Sequence, residues 1–150
     1  MHISWNYLDK RKAAVDAIES FDDMAFIIEH SDEEIAEVSG SMSGLRSPGM
    51  DGLPHAHDPK AGENHLINAI DEIDVIKERY RQAKEYMEWF VPAWDQLSED
   101  EEYILELFHR GRRERATDLA ADHFGIDRRS VYPKKKRALS HLQSLLYGKF

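Results

Sequence analysis

Apolar positions recur at helical spacing through most of the chain. From Ile3 to His30, Leu8, Val15, Ile18 and Ala25 fall near a seven-residue repeat, Asp9, Lys10, Arg11, Asp16 and Glu19 occupy other faces, and no Gly or Pro intervenes. That pattern predicts one long helix. Ser31 followed by Glu34 has the spacing of a capping box and predicts a short second helix carrying Ile35 and Val38. Between Ser39 and Glu63 the periodicity stops, and the segment holds most of the glycines and three of the five prolines. It predicts a loop of about two dozen residues, far longer than an ordinary connection.

Periodicity resumes at Asn64. Leu66, Ala69, Ile73, Ile76, Tyr80, Ala83, Met87 and Phe90 occupy successive a and d positions of a heptad. They predict a helix able to pair with the first helix, with a second copy of the chain, or with both. Ile67, Ile70, Val75, Tyr86 and Trp89 lie outside that seam and predict burial on more than one side. The helix is expected to end near Val91-Pro92, because proline disfavours helical geometry in the residue before it. Ser98 with Glu101 forms another capping-box spacing and opens a helix carrying Ile104, Leu105, Leu107 and Phe108, stopped by Gly111. A further helix from about Ala116 to Phe124 leads into Gly125, and another begins after Asp127. The expected class is all-α. Its expected organisation is an acidic helical region over 1–92, with its loop at about 39–63, and a C-terminal helical domain over 97–150.

Charge divides the chain in the same way. Up to Phe108 there are 9 Lys and Arg against 25 Asp and Glu; from His109 onward there are 11 against 4. The net charge of −9 therefore conceals a basic end on an acidic body, a distribution that suggests a nucleic-acid partner. With 41% apolar residues the chain is rich enough to fold. No run of about 18 apolar residues predicts a transmembrane helix, and charges fill the place of a signal peptide's apolar segment. The absence of cysteine excludes disulfides, thiolate metal sites and cysteine nucleophiles. A cytoplasmic location is the expectation.

The segment LAADHFGIDRRSVYPKKKRAL has the spacing of a helix-turn-helix. Ala121 is small where two helices cross, Gly125 suits a left-handed turn, and Phe124, Ile126 and Val131 supply a small core. Arg128, Arg129, Tyr132, Lys134 and Lys136 are left facing outward, a surface suited to a major groove. Two arginines at a helix start oppose the helix dipole, which makes sense if that end faces DNA.

From Leu97 to Gly148 the chain resembles region four of the sigma-70 family, the helix-turn-helix that reads the −35 promoter element. GIDRRSVYPKKKRALSHLQSLL aligns without a gap onto that family's Gly-Ile-Ser-x-x-Thr-Val, Arg-Ala-Leu and later leucines. SVY, RAL and LLYG further resemble phage-encoded regulators of the ArpU/RinA type, which also carry an acidic helical half and a Gly/Pro loop. The resemblance implies binding of double-stranded DNA and control of transcription, with RNA polymerase as a possible contact. It implies that Arg128, Arg129 and Tyr132 read bases, that Lys134, Lys136 and Arg137 contact the backbone, and that Arg112, Arg113 and Arg115 touch flanking phosphates. Departures from the family follow. Pro133 predicts a recognition helix that starts late, near Ser130, or kinks at Tyr132. Lys135 stands where the family is usually apolar and predicts shallower packing. The connection from Gly111 to Leu119 is longer than the family's, and no region two is present.

Other chemistry is weakly signalled. His55, His57 and Asp58 are ligand types that zinc accepts, but no fourth ligand lies near them, and no metal or cofactor is expected. No Gly-rich phosphate loop, Gly-x-Ser-x-Gly or His-Glu-x-x-His is present, so no catalytic residue is assigned. The alternatives to a dimeric regulator are a small-terminase-type packaging protein, whose long helices build a ring, and a module that binds only proteins.

Overall fold

In the computed structural model, which describes residues 9–44, 60–111 and 114–148, all regular structure among those residues is helical. The helices are α1 (Lys10–Glu19), α2 (Phe21–Gly44), α3 (Ala61–Asp95), α4 (Glu99–His109), α5 (Ala116–Phe124) and α6 (Arg128–Tyr147). The protein is all-α, as its periodicity predicts.

Several boundaries differ from expectation. The first long helix breaks at Ser20. There the backbone N–H and the hydroxyl both bond to the Asp16 carbonyl, at 3.0 and 2.7 Å. Ser31 starts no helix. It is buried inside α2, its hydroxyl donates back to the Ile27 carbonyl, and the helix runs on through Ser39 to Gly44. Helix α3 begins three residues earlier than expected and passes through Pro92 to Asp95. Burial of Phe90, Ala93 and Leu97 around the proline offsets the ladder bond that it lacks. The Ser98–Glu101 capping box is present with both of its bonds.

The chain divides into two compact units, Met1–Asp23 with Tyr86–Phe150, and Met24–Glu85. The first therefore includes α1 and the end of α3, where a division near 92–97 assigns both to the acidic region. Ala14, Ala17 and Ile18 of α1 give it a narrow apolar stripe, and they enter the same core as Leu139, Leu142 and Leu146 of α6. Ile104 and Leu105 of α4, Ala120 of α5 and Phe90 of α3 complete that core. The buried stripe at helical spacing is what holds α6 in place.

In the second unit α2 and α3 line shared clefts, as a hairpin does; Val38 of α2 lines one with Ala69 and another with Ile76. Only one row of the α3 heptad is buried. Ala69, Ile76, Ala83, Phe90 and, beyond the helix, Leu97 stand seven residues apart and are all buried. Leu66, Ile73 and Met87 of the other row are half-buried, and Tyr80 is exposed. Ile67, Ile70, Val75 and Trp89 are exposed rather than buried on a second side, and Tyr86 is half-buried. The described helices of a single chain cover one face of α3. No described helix is long and apolar enough to cross a membrane.

Candidate nucleic-acid interface

The site is built on the turn between α5 and α6. Gly125 takes φ +63° and ψ 38°, the left-handed region, and its N–H bonds to the Ala121 carbonyl. The Ile126 N–H reaches the same carbonyl at 3.1 Å. These bonds close α5 and turn the chain into α6. Val131 is fully buried beneath the turn, while Phe124 and Ile126 are half-buried beside it. Asp127 occupies the N-cap position of α6 with extended backbone but makes no side-chain cap bond. The Ser130 N–H instead bonds to the Asp127 carbonyl at 2.9 Å.

Helix α6 starts at Arg128 and continues past Pro133, so the late start is overturned. Pro133 lies on the exposed side, where losing one bond to the Arg129 carbonyl leaves that oxygen open to water. Val131, Ala138, Leu139 and Leu142 anchor the opposite side. Lys135, from which shallower packing is expected, is half-buried. Its Nζ lies 4.6 Å from the Phe108 ring centre, a cation–π contact.

The expected contact residues fall into three groups. Arg129, Lys136 and Arg137 are exposed and make no ion pair among the described residues. Arg128, Tyr132 and Lys134 are engaged. Arg128 Nε lies 3.0 Å from Asp118 Oδ1 of α5, Tyr132 lies within 3.5 Å of the Thr117 hydroxyl, and Lys134 Nζ sits 4.2 Å over the Phe124 ring. Tyr132 nonetheless exposes 56% of its surface. Arg115 precedes α5 in the left-handed region at φ 64°, whereas Arg112 and Arg113 lie outside the described residues, as do His55, His57 and Asp58.

Sequence reasoning missed Asp118. It is the acid in the first turn of α5, and the signal was its place on that helix opposite the start of α6. The fold also spends one cation that charge counting assigns to the basic end. Arg110 bonds Asp22 at 2.8 Å, reaches Glu106 at 3.3 Å and covers the Phe21 ring at 4.4 Å. Across the unit, Glu101 ties the start of α4 to α6 through His141 Nδ1 at 2.8 Å. Burial raises the Glu101 carboxyl, but the Ser98 N–H, His141 and the Ser98 hydroxyl outweigh it and hold the group below the usual carboxylate range.

The two left-handed residues make a paired prediction. Arg115→Gly removes a side chain from a conformation that disfavours one and is expected to stabilise the protein by about 1 kcal/mol. Gly125→Ala is expected to destabilise it by a similar amount, with open space around the new Cβ leaving backbone strain as the cause. Urea unfolding of both variants checks the opposite signs.

Neither a protein-family model, a curated protein nor a solved structure matches the chain.

Proposed function

We propose that the protein is a sequence-specific DNA-binding transcriptional regulator whose helix α6 enters the major groove. The observation that supports this reading is the pairing of α5 and α6 through a left-handed glycine, with Arg129, Lys136 and Arg137 exposed along α6 and unpaired among the described residues. That surface has the two chemistries DNA recognition needs, an arginine fork for a guanine edge and point charges for phosphates. The resemblance of 97–148 to sigma region four points the same way. In this reading the protein acts as a homodimer paired through α3, on which Ile67 and Ile70 stay 48% and 45% exposed in the single chain. RNA polymerase is a further partner of the acidic helices.

Selection of bound duplexes from a random pool, repeated at two salt concentrations, tests the reading. An enriched motif that survives the higher salt is expected, with a two-fold repeat reporting the dimer. Salt-sensitive binding without a motif would favour a packaging role, and absence of binding would overturn DNA recognition.

A further inference from the structure

The run Lys10-Arg11-Lys12 lies far from α6 in sequence and takes no part in the interface above. The fold brings it there. Helix α1 packs on α6, and Arg11 and Lys12 line a cleft of about 440 Å³ with His109 of α4 and Lys135 and Leu139 of α6. Both α1 cations are exposed and make no ion pair among the described residues. Asp9 is the one carboxylate on the cleft's lining, and it accepts the Lys12 backbone N–H at 3.1 Å as the helix cap. The first turn of α1 holds three cations and no acid, against the helix dipole. Helix α6 opens the same way, with Arg128 and Arg129 and no acid in its first turn. Arg11 and Lys12 of α1 and Arg129 of α6 are thus exposed cations without an ion pair among the described residues, at the starts of two helices that the fold places in one unit.

We infer that Arg11 and Lys12 form a second contact to the DNA backbone, holding phosphates that flank the groove read by α6. The inference rests on the reading of α6 as a recognition helix. The cleft is open and its cations are solvent-facing, which suits a polyanion passing over it better than a small anion needing enclosure on several sides. Lys135 of α6 adds a third cation to the cleft wall that Arg11 and Lys12 of α1 line. An arginine fork beside a lysine point charge is a phosphate-binding pair. The consequence is an interface in two parts: α6 supplies sequence selectivity, and α1 adds affinity without it.

The test is the Arg11→Gln, Lys12→Gln double variant of the full chain, measured on a selected duplex and on random duplex across a salt series. The expected result is a slope of log K against log salt that is shallower by about 1 per cation removed. Affinity should fall on the order of tenfold at low salt, equally for both duplexes, leaving their ratio unchanged. The melting temperature should hold or rise, because cations are leaving a helix start. Lys12→Glu places an acid where the dipole favours one, so it should strengthen α1 while weakening DNA binding further. Lys84→Gln, an exposed cation of the other unit, should change nothing. An unchanged slope in the double variant, with Lys136→Ala still lowering it, would overturn the α1 contact alone. A loss confined to the selected duplex would also overturn it, since Arg11 and Lys12 would then be reading bases. Wild-type protein that binds no duplex would overturn the reading of α6 and this inference with it.

Discussion

Phe90→Ala is expected to destabilise the protein by about 3–5 kcal/mol, the upper range for truncating a single core side chain. Phe90 is 1% exposed near the end of α3, at the meeting point of α1, the start of α2 and the C-terminal helices. Its ring stacks on Tyr86 at 5.3 Å and on Trp94 at 5.5 Å, and it tilts against Phe21 at 5.8 Å. Truncation loses the transfer energy of the ring, leaves a cavity among rigid neighbours, and removes aromatic pairs worth about 0.5–1.5 kcal/mol each beyond their burial. The damage should spread along a defined route. Phe21 also carries the Arg110 guanidinium, and Arg110 bonds Asp22, so a displaced Phe21 should loosen the end of α4. Urea unfolding followed by circular dichroism checks the size of the effect. Phe90→Leu should cost less, because a branched side chain refills part of the space. A loss below about 1.5 kcal/mol for the alanine variant would mean that the core collapses around the site and that the aromatic cluster is not its anchor.

How much of this was legible in the sequence depends on how local the signal was. The α4 capping box, the α5–Gly125–α6 turn and the all-helical class were readable because each rests on short-range geometry: a side-chain oxygen three residues from its N–H, a glycine at a left-handed turn, apolar spacing of 3.6. Breaks inside long helices were not. Ser20 and Ser31 are the same residue type, each bonding back to the carbonyl four residues earlier, yet the helix breaks at the first and passes through the second. The back-bond alone therefore does not decide between a break and a continuous helix. Pro92 and Pro133 are both carried inside helices because the residues around them are anchored, which no local rule reveals.

The interface was half-legible for a related reason. Periodicity marks which α6 residues leave the core, and Arg129, Lys136 and Arg137 do so. It does not show what else arrives at that surface. Asp118 against Arg128, Phe124 under Lys134, Phe108 under Lys135 and the α1 cations beside Lys135 all come from other helices. Counting charges from His109 onward therefore overestimates the unpaired cations within that stretch and overlooks Arg11 and Lys12 of α1 beside it.

Substitutions along α6 should separate into kinds of loss that follow from this arrangement. Arg129→Ala removes an exposed fork at the start of the helix, the end that reaches base edges in helix-turn-helix docking. A bidentate guanine contact contributes about 1–3 kcal/mol, so affinity for a selected duplex should fall by roughly 5–150-fold while random duplex is little affected. Lys136→Ala lies two turns further on, where in the proposed docking the helix leaves the groove floor. It should weaken both duplexes alike and lower the salt slope by about 1. Asp118→Asn should act in the opposite direction. The Arg128–Asp118 pair is largely exposed, 70% on the arginine and 46% on the aspartate, so holding it contributes at most about 1 kcal/mol. Removing the acid frees Arg128 and takes a negative charge away from the side proposed to face DNA, and should raise affinity by up to about fivefold. Adding Arg128→Ala to Asp118→Asn should cancel that gain if the freed arginine is what contacts DNA. If the gain persists in the double variant, it comes from removing the repulsion of Asp118 itself, and Arg128 is a structural partner of α5. Equal losses on every sequence from Arg129→Ala and Lys136→Ala would make both residues backbone contacts, and sequence selectivity would then have to reside in the other exposed side chains of α6, Tyr132 first among them.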